Sequence, residues 1–194
     1  MIEGSIWFWV LVTVISIVLF VWLIFSIYRG IRHEILQVIG FGFVLLALSL
    51  PETIGAYEEL PYYLMTTVSL VIIGTFSILL GILSSSRRWV KKRGTTNLNS
   101  LRNLAIFAIF RHPITFGLIL LTFSILFLVN SIFSNVLAVL AAIIFILSSY
   151  ERDSFLQKIY GYPYKNYMKK VPRFNFIIGI LRSILSREKD EKTA

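Results

Sequence analysis

From Ile6 to Ile27 the chain runs for 22 residues without a charged side chain. Wound as a helix, that stretch is ~33 Å long, enough to cross the hydrocarbon core of a bilayer. It is too long and too aromatic for a cleaved signal peptide, and no basic segment precedes it. Four further apolar segments follow at Ile35–Leu50, Tyr62–Leu83, Ile114–Val129 and Val136–Ser149. The second is short and is expected to stop at Pro51. The fourth and fifth form a hairpin around "NSIFSN", whose polar residues suit a tight turn. With 57% hydrophobic residues and a mean hydropathy of +0.79, the chain is too apolar for an ordinary soluble domain. The expected fold class is therefore all-α integral membrane protein, with five transmembrane helices and a cytoplasmic C-terminal helical cap.

Charge gives the expected orientation. The net charge of +9 is concentrated in "YRGIRH", "RRWVKKR" and the C-terminal tail, whereas "PETIGAYEELP" is acidic and the hairpin turn is uncharged. Basic loops stay in the cytoplasm, so five crossings with the N-terminus outside and the C-terminus cytoplasmic satisfy every loop. The 87–93 cluster reads as a topology signal that also attracts anionic headgroups, making membrane lipids a partner and nucleic acid none. The absence of cysteine excludes disulfides and thiolate chemistry. No metal-ligand cluster, Ser-His-Asp arrangement or phosphate-binding glycine loop stands out. We expect one membrane domain: three spans over 1–86, a basic loop and short helix over 87–113, the hairpin over 114–150, and a cap with an interfacial helix over 151–194.

Two polar patches interrupt this apolar pattern. "TTNLNS" ends in a helix cap, Leu101, Leu104, Ala105 and Ala108 recur at helical spacing, and Pro113 then disfavours helix at His112. Arg111 and His112 would stand where a cytoplasmic helix turns into the fourth span. Directly after the fifth span come Glu151, Arg152 and Asp153, and ionisable groups at a membrane edge are costly unless paired or functional. A helical face of Phe155, Leu156, Ile159 and Tyr160 is stopped by Gly161, and Tyr164, Tyr167 and Met168 line a further turn halted by Pro172. Because the fourth and fifth spans are joined by a short loop, the patches are expected to meet in one charged pocket. From Phe174 to Leu185 an amphipathic segment would lie in the interface. Gly74 and Gly81 in the third span, with Ser69, Ser77 and Ser84, would allow close helix packing.

In these residues the sequence resembles the isoprenylcysteine carboxyl methyltransferase and phospholipid methyltransferase superfamily of membrane enzymes. "RHPITFG" supplies Arg111, His112, Pro113 and Gly117 of one family motif. "YGYPYKNYMKKVPRF" supplies Tyr160, Gly161, Tyr164, Tyr167, Val171, Pro172, Arg173 and Phe174 of the other. Thr115 replaces a family tyrosine and Ala105 a leading glycine. Arg152 and Asp153 align with a glutamate pair, with Glu151 one residue earlier. The resemblance covers about the C-terminal half. It implies a site for S-adenosylmethionine and methyl transfer to a lipophilic small molecule or prenylated substrate. On that footing Arg111, His112, Pro113, Gly117, Glu151 and Asp153 would form the cofactor site. Arg111 would order the turn or bind a carboxylate, Arg173 would hold an anionic acceptor, and Tyr164 and Tyr167 would line the reacting pocket. Two alternatives remain: a non-catalytic protein of the same fold in lipid binding or assembly, and a membrane NADPH-dependent reductase.

Overall fold

The computed structural model describes residues 2–54, 61–91, 107, 109–129 and 131–175. All regular structure among them is helical: α1 (Ile2–Arg29), α2 (Arg32–Ile54), α3 (Pro61–Lys91), α4 (Pro113–Leu128), α5 (Ile132–Tyr160) and α6 (Tyr162–Lys170). α1, α2, α3 and α5 each contain a stretch long and apolar enough to cross a membrane, and α4 is apolar but has 16 residues. The chain is a multi-pass membrane protein. The expected short helix near 101–108 and the interfacial helix beyond Asn175 lie outside the described residues, apart from single positions.

Local sequence accounts for the helix ends. Gly30 adopts φ 65°, and its N–H bonds Ile27 O at 3.0 Å while Ile31 N–H bonds Ser26 O at 3.1 Å. That is the double closure glycine permits at a helix C-terminus. Pro113 opens α4 at its first helical position, where its missing N–H is no loss, and His112 O accepts the first helical bond from Phe116 at 2.9 Å. Gly161, at φ 63°, closes α5 with its N–H on Gln157 O at 2.8 Å.

One expectation about extent needs correction. α2 does not stop at Pro51 but continues to Ile54, since a proline in the last turn forfeits one backbone bond without ending the helix. The fifth span and the helix after it form one element. α5 runs unbroken for 29 residues, ~43 Å, because nothing between Ser149 and Tyr160 is a helix breaker.

The chain divides into two compact units, Met1–Ile72 with Leu118–Arg152, and Ile73–Gly117 with Asp153–Ala194. The boundary falls within α3, α4 and α5. In the first unit Ala47, Ile125, Val129 and Ala138 form a buried cluster joining α2, α4 and α5. Phe41 packs edge-on against the buried Phe145 ring, centroids 5.3 Å apart, and tilts against Trp22 at 6.0 Å. Ser148 Oγ donates to His33 O at 2.9 Å. Lipid provides no hydrophobic drive between helices, so contact depends on small residues that let backbones approach. Exposed hydroxyls are satisfied within their own helix, as where Thr13 bonds Trp9 O and Ser16 bonds Val12 O, each at 2.8 Å.

Gly40 leaves room on α2 for the Phe145 ring of α5. A Cβ there would lie 2.7 Å from the Phe145 ring, whereas at Gly42 it would meet nothing within 4 Å. Gly40→Leu is expected to lower stability by about 1–3 kcal/mol through overpacking, and Gly42→Ala to leave it nearly unchanged. Thermal unfolding of both variants in detergent checks this.

Candidate functional site

The second unit is built around the turn from Arg111 to Pro113. Three residues of α3, spaced by three and four positions, seat that turn. A Cβ on Gly117 would strike the Gly74 carbonyl, and one on Gly81 would strike Ile114 and Pro113. Between these glycines Ser77 Oγ donates to Pro113 O at 2.8 Å. Phe107 and Phe110 form a small buried cluster beside it with Leu80, Ile109 and Phe116. Thr115 is also buried, at 1% exposure.

Asp153, from the last third of α5, is the hub. Its Oδ2 accepts from Arg111 Nη1 at 2.8 Å and from Arg173 Nε and Nη2 at 3.0 and 2.8 Å. Its Oδ1 accepts from Tyr164 OH at 2.7 Å and faces His112 Nε2 at 2.8 Å. Asp153, His112 and Tyr164 are 4–5% exposed. Two guanidinium groups make the ionised carboxylate the form this cluster holds, so the His112 proton belongs on Nε2, where it donates. Burial, then the charge of Asp153, pushes the Tyr164 hydroxyl well above the ordinary tyrosine range. Tyr164 therefore stays a proton donor and cannot serve as a base.

Backbone contacts bind the same segments together. Arg111 N–H donates to Pro172 O at 3.0 Å, and Tyr167 OH donates to Phe107 O at 2.7 Å. The Phe174 ring lies 6.2 Å from the His112 ring, and the Tyr164 and Tyr167 rings are 5.7 Å apart. Residues from "RHPITFG" and "YGYPYKNYMKKVPRF", separated by more than 40 positions, thus meet at one carboxylate.

Of the expected site residues, Arg111, His112, Asp153, Tyr164 and Arg173 share direct contacts. Tyr167 latches α6 to Phe107. Pro113 and Gly117 act on the backbone, one opening α4 and the other admitting α3. Glu151 is half-buried and sits two positions before Asp153, roughly 200° around α5 at ~100° per residue, so it faces elsewhere. The imidazole and Asp153 meet through a hydrogen bond instead of facing one another across a hollow. No metal-binding group of three or more His, Asp or Glu occurs among the described residues. Sequence reasoning flagged Ser77 for packing alone. Its bond to Pro113 was signalled by a hydroxyl lying between two glycines on one helix face. The Phe107 and Pro172 carbonyls carried no signal, since backbone acceptors have none.

Two arginines share the one Asp153 carboxylate. Among the described residues Arg111 Nε is buried with no hydrogen-bond partner. A buried donor left open in this way suits an anionic ligand.

Comparison with known proteins finds no matching family model, no matching curated protein and no matching solved structure.

Asp153→Asn is expected to destabilise the fold by about 3–5 kcal/mol, because it removes the charge that two partly buried guanidinium groups share. Tyr164→Phe, which removes one hydrogen bond, is expected to cost about 1 kcal/mol. Thermal unfolding gives both values, and equal losses would contradict the hub.

Proposed function

We propose that this protein transfers a methyl group from S-adenosylmethionine to a lipophilic acceptor at the cytoplasmic face of a membrane. The observation that carries this reading is the convergence on Asp153 of Arg111 and His112 with Tyr164 and Arg173. These are residues of the two motifs on which the resemblance to membrane methyltransferases rests.

The donor set fits the cofactor at one end. Arg111 Nε–H, buried and unpartnered among the described residues, suits the cofactor's carboxylate or an anionic group on the acceptor. The Asp153 oxygens are taken by internal donors, so Asp153 orders its neighbours and leaves the cofactor's amino and ribose groups to other residues. When bound, the cofactor supplies a methyl group already activated by its sulfonium. The protein's part is then mainly alignment. Asp153 fixes the His112 ring, and Arg173 holds an anionic acceptor. Phe107, Phe110 and Phe174 supply apolar surface. A prenylcysteine carboxylate or a lipid phosphate would satisfy Arg173 equally.

A second reading, a non-catalytic protein of this architecture in lipid binding or assembly, draws support from the same saturation of Asp153. Under either reading the loop charges orient the chain with five crossings, the N-terminus outside and the C-terminal cap in the cytoplasm.

Calorimetry on the detergent-purified chain separates the two. Methyl transfer predicts saturable S-adenosylmethionine binding that weakens about tenfold in His112→Ala, the worth of one hydrogen bond. A folded protein that ignores millimolar cofactor would favour the non-catalytic reading, and NADPH binding in its place would point to a reductase. For the orientation, a cysteine introduced at Glu58 is expected to react only with reagent applied from outside the cell.

A further inference from the structure

A second feature lies in the other unit, between α1 and α2. Ser16, Leu19, Phe20 and Leu23 of α1 face Val38, Ile39, Gly42, Phe43, Leu45 and Leu46 of α2 across an open groove of about 420 Å³. Its chemistry is uniform. The only polar side chain in the lining is Ser16, and that hydroxyl is turned back onto Val12 O at 2.8 Å. At Gly42 the absent Cβ leaves open space, with no atom within 4 Å of where it would stand. The groove therefore offers a ligand apolar surface and no hydrogen-bond partner.

Charge appears at one end of the helix pair. The turn joining α1 to α2 carries Arg29 and Arg32, both exposed. Arg32, Ile39 and Leu46 are spaced by seven, so the arginine lies on the groove's own stripe of α2. Arg29 leans over the Phe25 ring at 6.0 Å and adds positive field from the side. Glu34, the acidic residue of this turn, is engaged by Ser26 Oγ at 3.1 Å, and His33 is buried.

Distances along the helices fit one leaflet of a bilayer. Leu23 and Val38 each stand six residues from the nearer arginine, ~9 Å along the axis, and Ser16 and Leu46 stand ~20 Å away. A headgroup layer of roughly 6 Å and half of the ~30 Å hydrocarbon core together span ~21 Å. The groove thus runs from beneath the headgroups to the bilayer's mid-plane.

We infer that this groove is a binding site for an anionic phospholipid, with one acyl chain between α1 and α2 and the phosphate at Arg32. The inference stands apart from methyl transfer and needs only that the two helices span a membrane. Arg32 supplies the headgroup preference, with a smaller share from Arg29. Gly42 keeps room for the chain.

Native mass spectrometry of the full chain, released from detergent doped with phosphatidylglycerol or phosphatidylcholine of identical acyl chains, tests it. One phosphatidylglycerol adduct is expected to be retained about fivefold better than the phosphatidylcholine adduct, the effect of one arginine near the surface. Arg32→Gln removes that preference while keeping the adduct. Gly42→Phe, which enters open space, and Ser16→Phe, which plugs the groove from α1, each remove adducts of both lipids. Circular dichroism melts confirm that the variants fold. Equal retention of the two lipids by the unaltered chain would overturn the proposal, as would adducts that survive either plug in a folded variant. A dimer that either plug dissolves would also overturn it, because the occupant would then be a second copy of the chain.

Discussion

Burying a carboxylate beside two guanidinium groups desolvates three charges at once, and attraction offsets that cost only where hydrogen bonds complete the arrangement. Asp153 meets the condition. Its oxygens accept from Arg111, Arg173 and Tyr164 and face the His112 imidazole. Because those partners come from three stretches of chain, the carboxylate fixes where the Arg111–Pro113 turn, the start of α6 and the segment around Arg173 stand in their unit. Backbone bonds from Arg111 to Pro172 and from Tyr167 to Phe107 reinforce the same junction. Any chemistry this site performs is organised by that internal ion cluster. An anionic ligand would be met by the Arg111 Nε–H, which has no partner among the described residues.

A different rule governs the first unit. Its contacts are made where side chains are small, as at Gly40 beneath Phe145 and at the Ala47–Ala138 cluster. Where side chains are large and the helices part, as between α1 and α2, an apolar groove opens. α1 leaves 6% of its most apolar stretch buried, so nearly all of that helix is free to contact lipid. Small residues recur in the second unit, where Gly74, Ser77 and Gly81 hold the proline turn against α3. In both units close packing and satisfied polar groups do what water-driven burial does in a soluble core.

Much of this was legible in the sequence, for identifiable reasons. Apolar length announced the spans, and Pro113 and Gly161 announced helix ends because each residue has one dominant backbone effect. Pro51 misled, since a proline ends a helix only when the following residues also leave it, and α2 continues for another turn. A polar run such as Glu151–Ser154 changes the composition while remaining a good helix, so α5 passes through it unbroken. The site was legible as a list of residues more than as a geometry. Glu151 and Asp153 were both expected at the cofactor site, yet two helical steps point them roughly 200° apart. Acceptors on the backbone, at Phe107, Pro113 and Pro172, left no trace in residue identity.

The most direct test of the Asp153 hub is a double-mutant cycle between Arg111 and Asp153, read by chemical unfolding of the detergent-solubilised protein. Partners that act through one shared ion cluster should couple strongly. Arg111→Gln added to Asp153→Asn should then cost far less than it costs alone, with a coupling of about 1.5–3 kcal/mol. Additive losses, agreeing to within about 0.5 kcal/mol, would mean that the two residues act independently and that the carboxylate does not join the two motifs.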